Sequence, residues 1–163
     1  MMYAQKIRRQ LHMYPEVGFD LDRTLQLLRE ELDKLGISYT EAYGKSSIVA
    51  TINPEKQHFT IGVRADMDAL PIQEIGTSEY KSRIKGQMHA CGHDAHAAIA
   101  LATAKYIHEI RAPFSPIPRH FRQPGVPVAD RIADLLDLFP ALVLLLAGLD
   151  VLRPTGACHS ATG

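Results

Sequence analysis

Between Gly86 and His96 the chain gathers His89, Cys91, His93, Asp94 and His96 within eight residues. In an extended segment alternate residues point the same way, so the Cys91 thiolate and the His93 imidazole can reach one metal ion. A Cys/His pair suits zinc, and imidazole also suits nickel, cobalt or manganese. Asp94 stands where it can cap a helix beginning at Ala95. The same residues would equally serve as a polar loop running into a capped helix with no metal. One such segment supplies two or three ligands, and a closed or catalytic site needs further donors from elsewhere.

A second run, Gly62-Val63-Arg64-Ala65-Asp66-Met67-Asp68-Ala69-Leu70-Pro71, carries an apolar strand into two carboxylates and stops at proline. Ligand-binding groups of α/β proteins collect at the carboxyl ends of strands. Asp66 and Asp68 can share a face, and one of them can hold a metal-binding histidine in its proper tautomer. An Asp-rich turn after a strand fits the run as well. A third run, Leu11-His12-Met13-Tyr14-Pro15-Glu16-Val17-Gly18-Phe19, reads by itself only as a helix ending at a turn.

These groups need elements to position them. Ile7 and Leu11 are a four-residue helical step within Tyr3–Met13, and Pro15 and Gly18 punctuate the chain after it. A second helix is expected with Asp20 or Asp22 as its cap, Leu25, Leu28, Leu32 and Leu35 as its apolar positions, and Gly36 closing it. Strands are expected over 47–52 and 59–63, with Asn53-Pro54 turning between them. A third helix is expected over 95–110, with Ile99, Ala102, Tyr106 and Ile110 on one side. Helices interleaved with apolar strands predict an α/β layered domain.

The chain has 163 residues, on the scale of one domain of roughly 100–200. With 46% hydrophobic and 22% charged residues it is ordinary for a soluble globular protein, which excludes disorder, collagen and coiled coil. A net charge of zero offers no long-range attraction to nucleic acid or to an anionic membrane. Cys91 and Cys158 do not make a disulfide framework, so a reducing, cytoplasmic setting is expected. No apolar stretch follows the basic residues of the first nine positions. Between Leu135 and Leu152, Asp137 and Asp150 bracket an uncharged stretch too short for the roughly 20 residues of a membrane span.

The chain changes character near residue 112. Every lysine, glutamate and tyrosine lies before it, and seven of the ten prolines lie after it. Residues 112–163 therefore read either as a proline-rich linker followed by a short apolar helix, or as the product of a shifted reading frame or degraded gene end.

Three strings together resemble the amino-terminal part of the metal-dependent amidohydrolases and aminoacylase-type metallopeptidases. That family includes hippurate hydrolase, N-acyl-amino-acid amidohydrolases and auxin-conjugate hydrolases. The strings are Arg8-Arg9-x-Leu11-His12-x-x-Pro15-Glu16-x-Gly18-Phe19, then Arg64-Ala65-Asp66-Met67-Asp68-Ala69-Leu70-Pro71, then His89-Ala90-Cys91-Gly92-His93-Asp94-x-His96. The resemblance covers roughly residues 5–111 and implies a three-layer α/β catalytic domain with a dinuclear metal site. It implies Cys91 and His93 as metal ligands and Asp68 as the residue that supports a ligand from behind. It also implies two divalent ions (Zn, Mn, Ni or Co) and hydrolysis of the amide bond of a small N-acyl amino acid. A metal-held water is the family's nucleophile and a glutamate its general base.

Here the pattern departs from the family. The family's Gln-Pro-x-Glu-Glu motif supplies the general base and a further ligand, whereas Gln123-Pro124 runs into Gly125, Val126 and Pro127, and no glutamate follows Glu109. His120 and His159 lack the surroundings of the later histidine ligands, and Cys158-His159 lies in a Gly/Ala/Ser/Thr tail. The lid domain that makes the family's dimer has no counterpart. The expectation is an incomplete catalytic domain over 1–111 joined to an unrelated tail over 112–163, truncated, without a catalytic residue of its own and inactive alone. The other reading is a non-catalytic remnant that binds metal weakly or associates with an intact homologue. Either way a sheet edge and an apolar face are expected to be open, with Leu142–Leu146 covering part of them or driving aggregation.

Overall fold

The computed structural model describes residues 2–52, 60–110 and 141–147. In chain order its elements are α1 (Tyr3–Met13), α2 (Asp22–Leu35), β1 (Ser38–Thr40), β2 (Ile48–Ile52), β3 (Thr60–Asp66), α3 (His93–Ile110) and β4 (Ala141–Ala147). The α/β class expected from the sequence is the class observed. The expected turn at Asn53-Pro54 lies outside the described residues.

α1 forms where Ile7 and Leu11 recur one turn apart, and both are buried against the core. α2 buries Leu25, Leu28 and Leu32 in the same way. Its C-terminus is a Schellman closure: Gly36 takes φ +66°, its N–H donates to Asp33, and the Ile37 N–H donates to Leu32. The start of α2 differs from the expectation, because neither Asp20 nor Asp22 caps it. Leu21 occupies the cap position with no side-chain hydrogen bond. Instead the Glu16 carboxylate accepts the N–H groups of Arg23 and Thr24 at 3.1 and 2.8 Å. A charged acceptor at a helix N-terminus is favoured by the unsatisfied donors and by the helix dipole.

The sheet runs in the order β1-β2-β4-β3. β1 is antiparallel to β2, β2 is parallel to β4, and β4 is antiparallel to β3. β4 comes from the compositionally distinct tail and is a strand, not the short apolar helix that its linker reading suggested. Leu142 pairs with Ile48 on one side and Ala65 on the other and is fully buried with them in the main core cluster. A run of Leu and Val placed between two strands satisfies its backbone only by pairing with both.

α3 packs on β2, β3 and β4, while α1 and α2 pack on α3. Its orientation corrects the expected apolar side: Ile99 and Tyr106 are exposed, and Ala97, Ala98, Ala100, Leu101 and Ala104 face the core. A helix covered by sheet on one side and helices on the other needs small residues so that backbones can approach. Among the described residues no helix is long and apolar enough to cross a membrane.

Candidate metal centre

Two short ladders bring the chemistry-bearing runs together. Leu70 and Met88 exchange both backbone hydrogen bonds at 3.0 Å, closing the intervening loop and laying the residues after β3 beside the segment that leads into α3. Ala69 N–H donates to the Glu16 carbonyl at 2.7 Å, which ties the same strand end to the turn after α1. Glu16 thus serves twice, by its carbonyl here and by its carboxylate at α2.

Cys91 and His93 meet at Asp68. His93 Nδ1 lies 2.9 Å from Asp68 Oδ1 and 3.0 Å from the Asp68 carbonyl, and Cys91 Sγ lies 3.6 Å from that carbonyl. An Nδ1–H donated to Asp68 leaves the Nε2 lone pair of His93 available to a ligand. Asp66 Oδ2 stands 3.9 Å from Nε2, while Asp66 Oδ1 is paired with Arg64 Nη2 at 2.5 Å. All four groups are partly exposed. The alternation expected of an extended segment is not what joins Cys91 to His93. Gly92 takes φ +87° and His93 is already the first residue of α3, so a turn joins them.

The other members of the cluster go elsewhere. Asp94 is fully buried and points inward, where its Oδ1 accepts the Ala95 N–H at 2.9 Å. His96 is exposed. His89 is 3% exposed, both its ring nitrogens lack a hydrogen-bond partner among the described residues, and burial pushes its pKa down to about 4 against the pull of Asp94. It is held as a neutral imidazole.

The run around His12 does more than end a helix, contrary to its reading in isolation. His12 Nδ1 lies 2.7 Å from Asp94 Oδ2, and Arg8 Nε donates to the same oxygen at 3.0 Å. His12 Nε2 faces Glu74 Oε1 at 3.4 Å, and Glu74 Oε2 accepts the Ser82 N–H at 2.6 Å. Sequence reasoning missed Glu74 and this use of His12. One signal was present: Arg8 and His12 stand four residues apart, on one side of α1.

Cys91 and His93 fit two positions of a zinc-type site by donor chemistry, with Asp68 oriented as a carboxylate behind a histidine ligand. Among the described residues no group of three or more His, Cys, Asp or Glu is arranged to hold an ion. The described part of the chain therefore offers a pair of donors rather than a closed coordination shell. His120, Cys158 and His159 lie outside the described residues.

Residues 62–122 match the model of Peptidase family M20/M25/M40. The chain is 45% identical over 103 residues to IAA-amino acid hydrolase ILR1-like 5 of Arabidopsis thaliana, covering 63% of this chain and 23% of that protein. It is 44% identical over 103 residues to hippurate hydrolase of Campylobacter jejuni, covering 63% of this chain and 27% of that protein. In structure it resembles the Bacillus subtilis YXEP protein, a dinuclear metal binding peptidase from the M20 family. That match has a TM-score of 0.55 and 24% identity, covering 88% of this chain and 33% of that one. The chain thus spans about a quarter of the length of the curated relatives it matches. On these grounds this chain is similar, over about 63% of its length, to part of the amidohydrolases named above, and over residues 62–122 to Peptidase family M20/M25/M40.

Proposed function

We propose that Cys91, His93 and Asp68 form the metal-holding part of an active site that hydrolyses the amide bond of small N-acyl amino acids. The observation that carries this reading is the convergence of the Cys91 thiol and the His93 ring on Asp68. When bound, a divalent metal supplies Lewis acidity and lowers the pKa of water. Cys91 and His93 would hold it, with zinc, manganese, nickel or cobalt all suited to the donors and two ions per intact site. Asp68 fixes the ring of His93 and keeps its proton on Nδ1. His89, neutral and buried nearby, adds no positive charge to repel a cation.

The 163-residue chain by itself is proposed not to turn over substrate. No glutamate follows Glu109 to act as general base, and loss of such a base typically costs about 10²–10⁴-fold in rate. We accordingly place the amidohydrolase portion, part of a three-layer α/β catalytic domain, at 1–111. Residues 112–163 are read as an unrelated, frameshift-like tail, and the protein as cytoplasmic. The composition of that tail favours a second reading, a remnant that binds metal weakly or associates with an intact homologue.

The test is a zinc titration of the purified chain and of Cys91→Ser and His93→Ala, followed by assay on hippurate. The proposal expects binding that both substitutions abolish, and no hydrolysis by the chain alone. Binding indifferent to both substitutions would refute the site, and robust hydrolysis by sequence-verified protein would refute the inactivity.

A further inference from the structure

We infer that the buried His12–Asp94 pair, braced by Arg8 and Glu74, is a positioning device that aims the Cys91–Gly92–His93 turn at Asp68. The inference rests on the metal-centre reading above for its purpose, while its geometry stands apart from it. Asp94 is 0% exposed and receives three donors: Arg8 Nε and His12 Nδ1 on Oδ2, and the Ala95 N–H on Oδ1. Both oxygens are committed inward, so Asp94 is not a spare donor for an ion. Successive residues of a helix project about 100° apart, so fixing Asp94 toward the interior also fixes where its neighbour His93 projects. The Gly92 carbonyl accepts the Ala95 and His96 N–H groups at 2.9 and 3.1 Å, which makes the turn and the first turn of α3 one unit.

The other end of the device is held as firmly. The Tyr80 ring meets His12 edge-on at 5.7 Å and lies under the guanidinium groups of Arg8 at 5.4 Å and Arg9 at 4.9 Å. Glu74 closes the line by taking the Ser82 N–H, which ties the loop between Asp68 and His89 to α1. A purely stabilising role does not call for this chemistry. His12 is buried in α1 as Ile7 and Leu11 are, on the side of the helix that carries Arg8, and an apolar residue there would be buried without the desolvation cost of an ionisable pair. What the polar line adds is direction: it joins α1, the start of α3 and the 70–88 loop at one carboxylate.

The two ring nitrogens can be separated by substitution. In a Cys158→Ser background, His12→Asn keeps a donor where Nδ1 faces Asp94, His12→Gln keeps one where Nε2 faces Glu74, and His12→Ala keeps neither. Two readouts are compared in protein whose fold is verified by circular dichroism. One is cobalt(II) affinity, followed by the thiolate-to-cobalt absorption band. The other is the rate of Cys91 alkylation by iodoacetamide without metal. The inference expects the Asn variant to match its parent on both. It expects the Gln variant to lose about 10–100-fold in cobalt affinity, the usual cost of losing a partner behind a ligand, and to alkylate faster. If the Ala variant fails to fold, the Asn/Gln pair decides. Equal behaviour of folded Asn and Gln variants on both readouts overturns the inference. If the parent binds no cobalt yet alkylation separates Asn from Gln, the positioning device stands and the metal-centre reading falls.

Discussion

Asp68 Oδ1 and His93 Nδ1 stand 2.9 Å apart although 25 residues separate them in the chain. One group lies just beyond the end of β3 and the other opens α3, so the contact exists only when strand end and helix start are docked. Asp68→Ala is expected to leave the fold intact and to lower zinc affinity by about 10–100-fold, read by competition titration. An unchanged affinity would mean that the carboxylate does not act through His93.

Glu16 is the real cap of α2, reached from outside the helix. Glu16→Ala should lower stability by about 1 kcal/mol, the usual cost of losing a cap. Asp20→Ala and Asp22→Ala should each cost less in the same urea titration. A ranking in which Asp20 or Asp22 dominates would contradict the hydrogen bonding.

Gly36 offers a cleaner backbone test. Among the described residues, its two chain neighbours aside, no atom lies within 4 Å of where a Cβ would stand, so the φ of +66° is what opposes a side chain. Gly36→Ala should therefore destabilise by about 1–2 kcal/mol, the strain of a left-handed residue. Gly36→Asn should cost less, since Asn tolerates that region.

Leu142 tests whether the compositionally distinct tail contributes to the core. It is 0% exposed between Ile48 and Ala65. Leu142→Ala is expected to cost about 2–5 kcal/mol in a cooperative unfolding experiment. A silent substitution would mean that the tail merely follows the domain.

Tyr3, Glu31 and Lys34 set a pH dependence at both ends of the range. Burial alone would raise the Glu31 carboxyl, but hydrogen bonds from Lys34 at 2.8 Å and Tyr3 at 2.9 Å outweigh it and bring it below its ordinary value. Stability from Glu31 is therefore present above the unfolded carboxyl value of about 4.3 and is lost as pH falls through the lower folded value. Burial and the hydrogen bond to Glu31 raise the Tyr3 hydroxyl well above its ordinary value. That contribution is intact below the unfolded tyrosine value of about 10 and is lost as pH rises beyond it. Glu31→Gln should flatten the acid limb of a stability–pH curve and Tyr3→Phe the alkaline limb. An unaltered limb in either variant would contradict the assignment.

The sequence by itself determined the local elements and the chemistry on offer. The apolar steps of α1 and α2, the closure at Gly36 and the strand running into Asp66 follow from periodicity and turn chemistry, which act within a few residues. The Cys91/His93 pair and the two aspartates were legible as donors, because residue type and spacing alone restrict what they can bind. Only the tertiary structure decided which of them meet. Glu16 rather than Asp20 or Asp22 caps α2, because a cap needs an oxygen at the right place in space and not in sequence. Ile99 and Tyr106 face outward, because α3 lies between sheet and helices, where alanine permits close approach. Ala141–Ala147 is a central strand, because two open strand edges outweigh what its flanking composition suggests. His12 and Asp94 join across 82 residues, a contact that no local pattern encodes, because it depends on how α1 docks against α3.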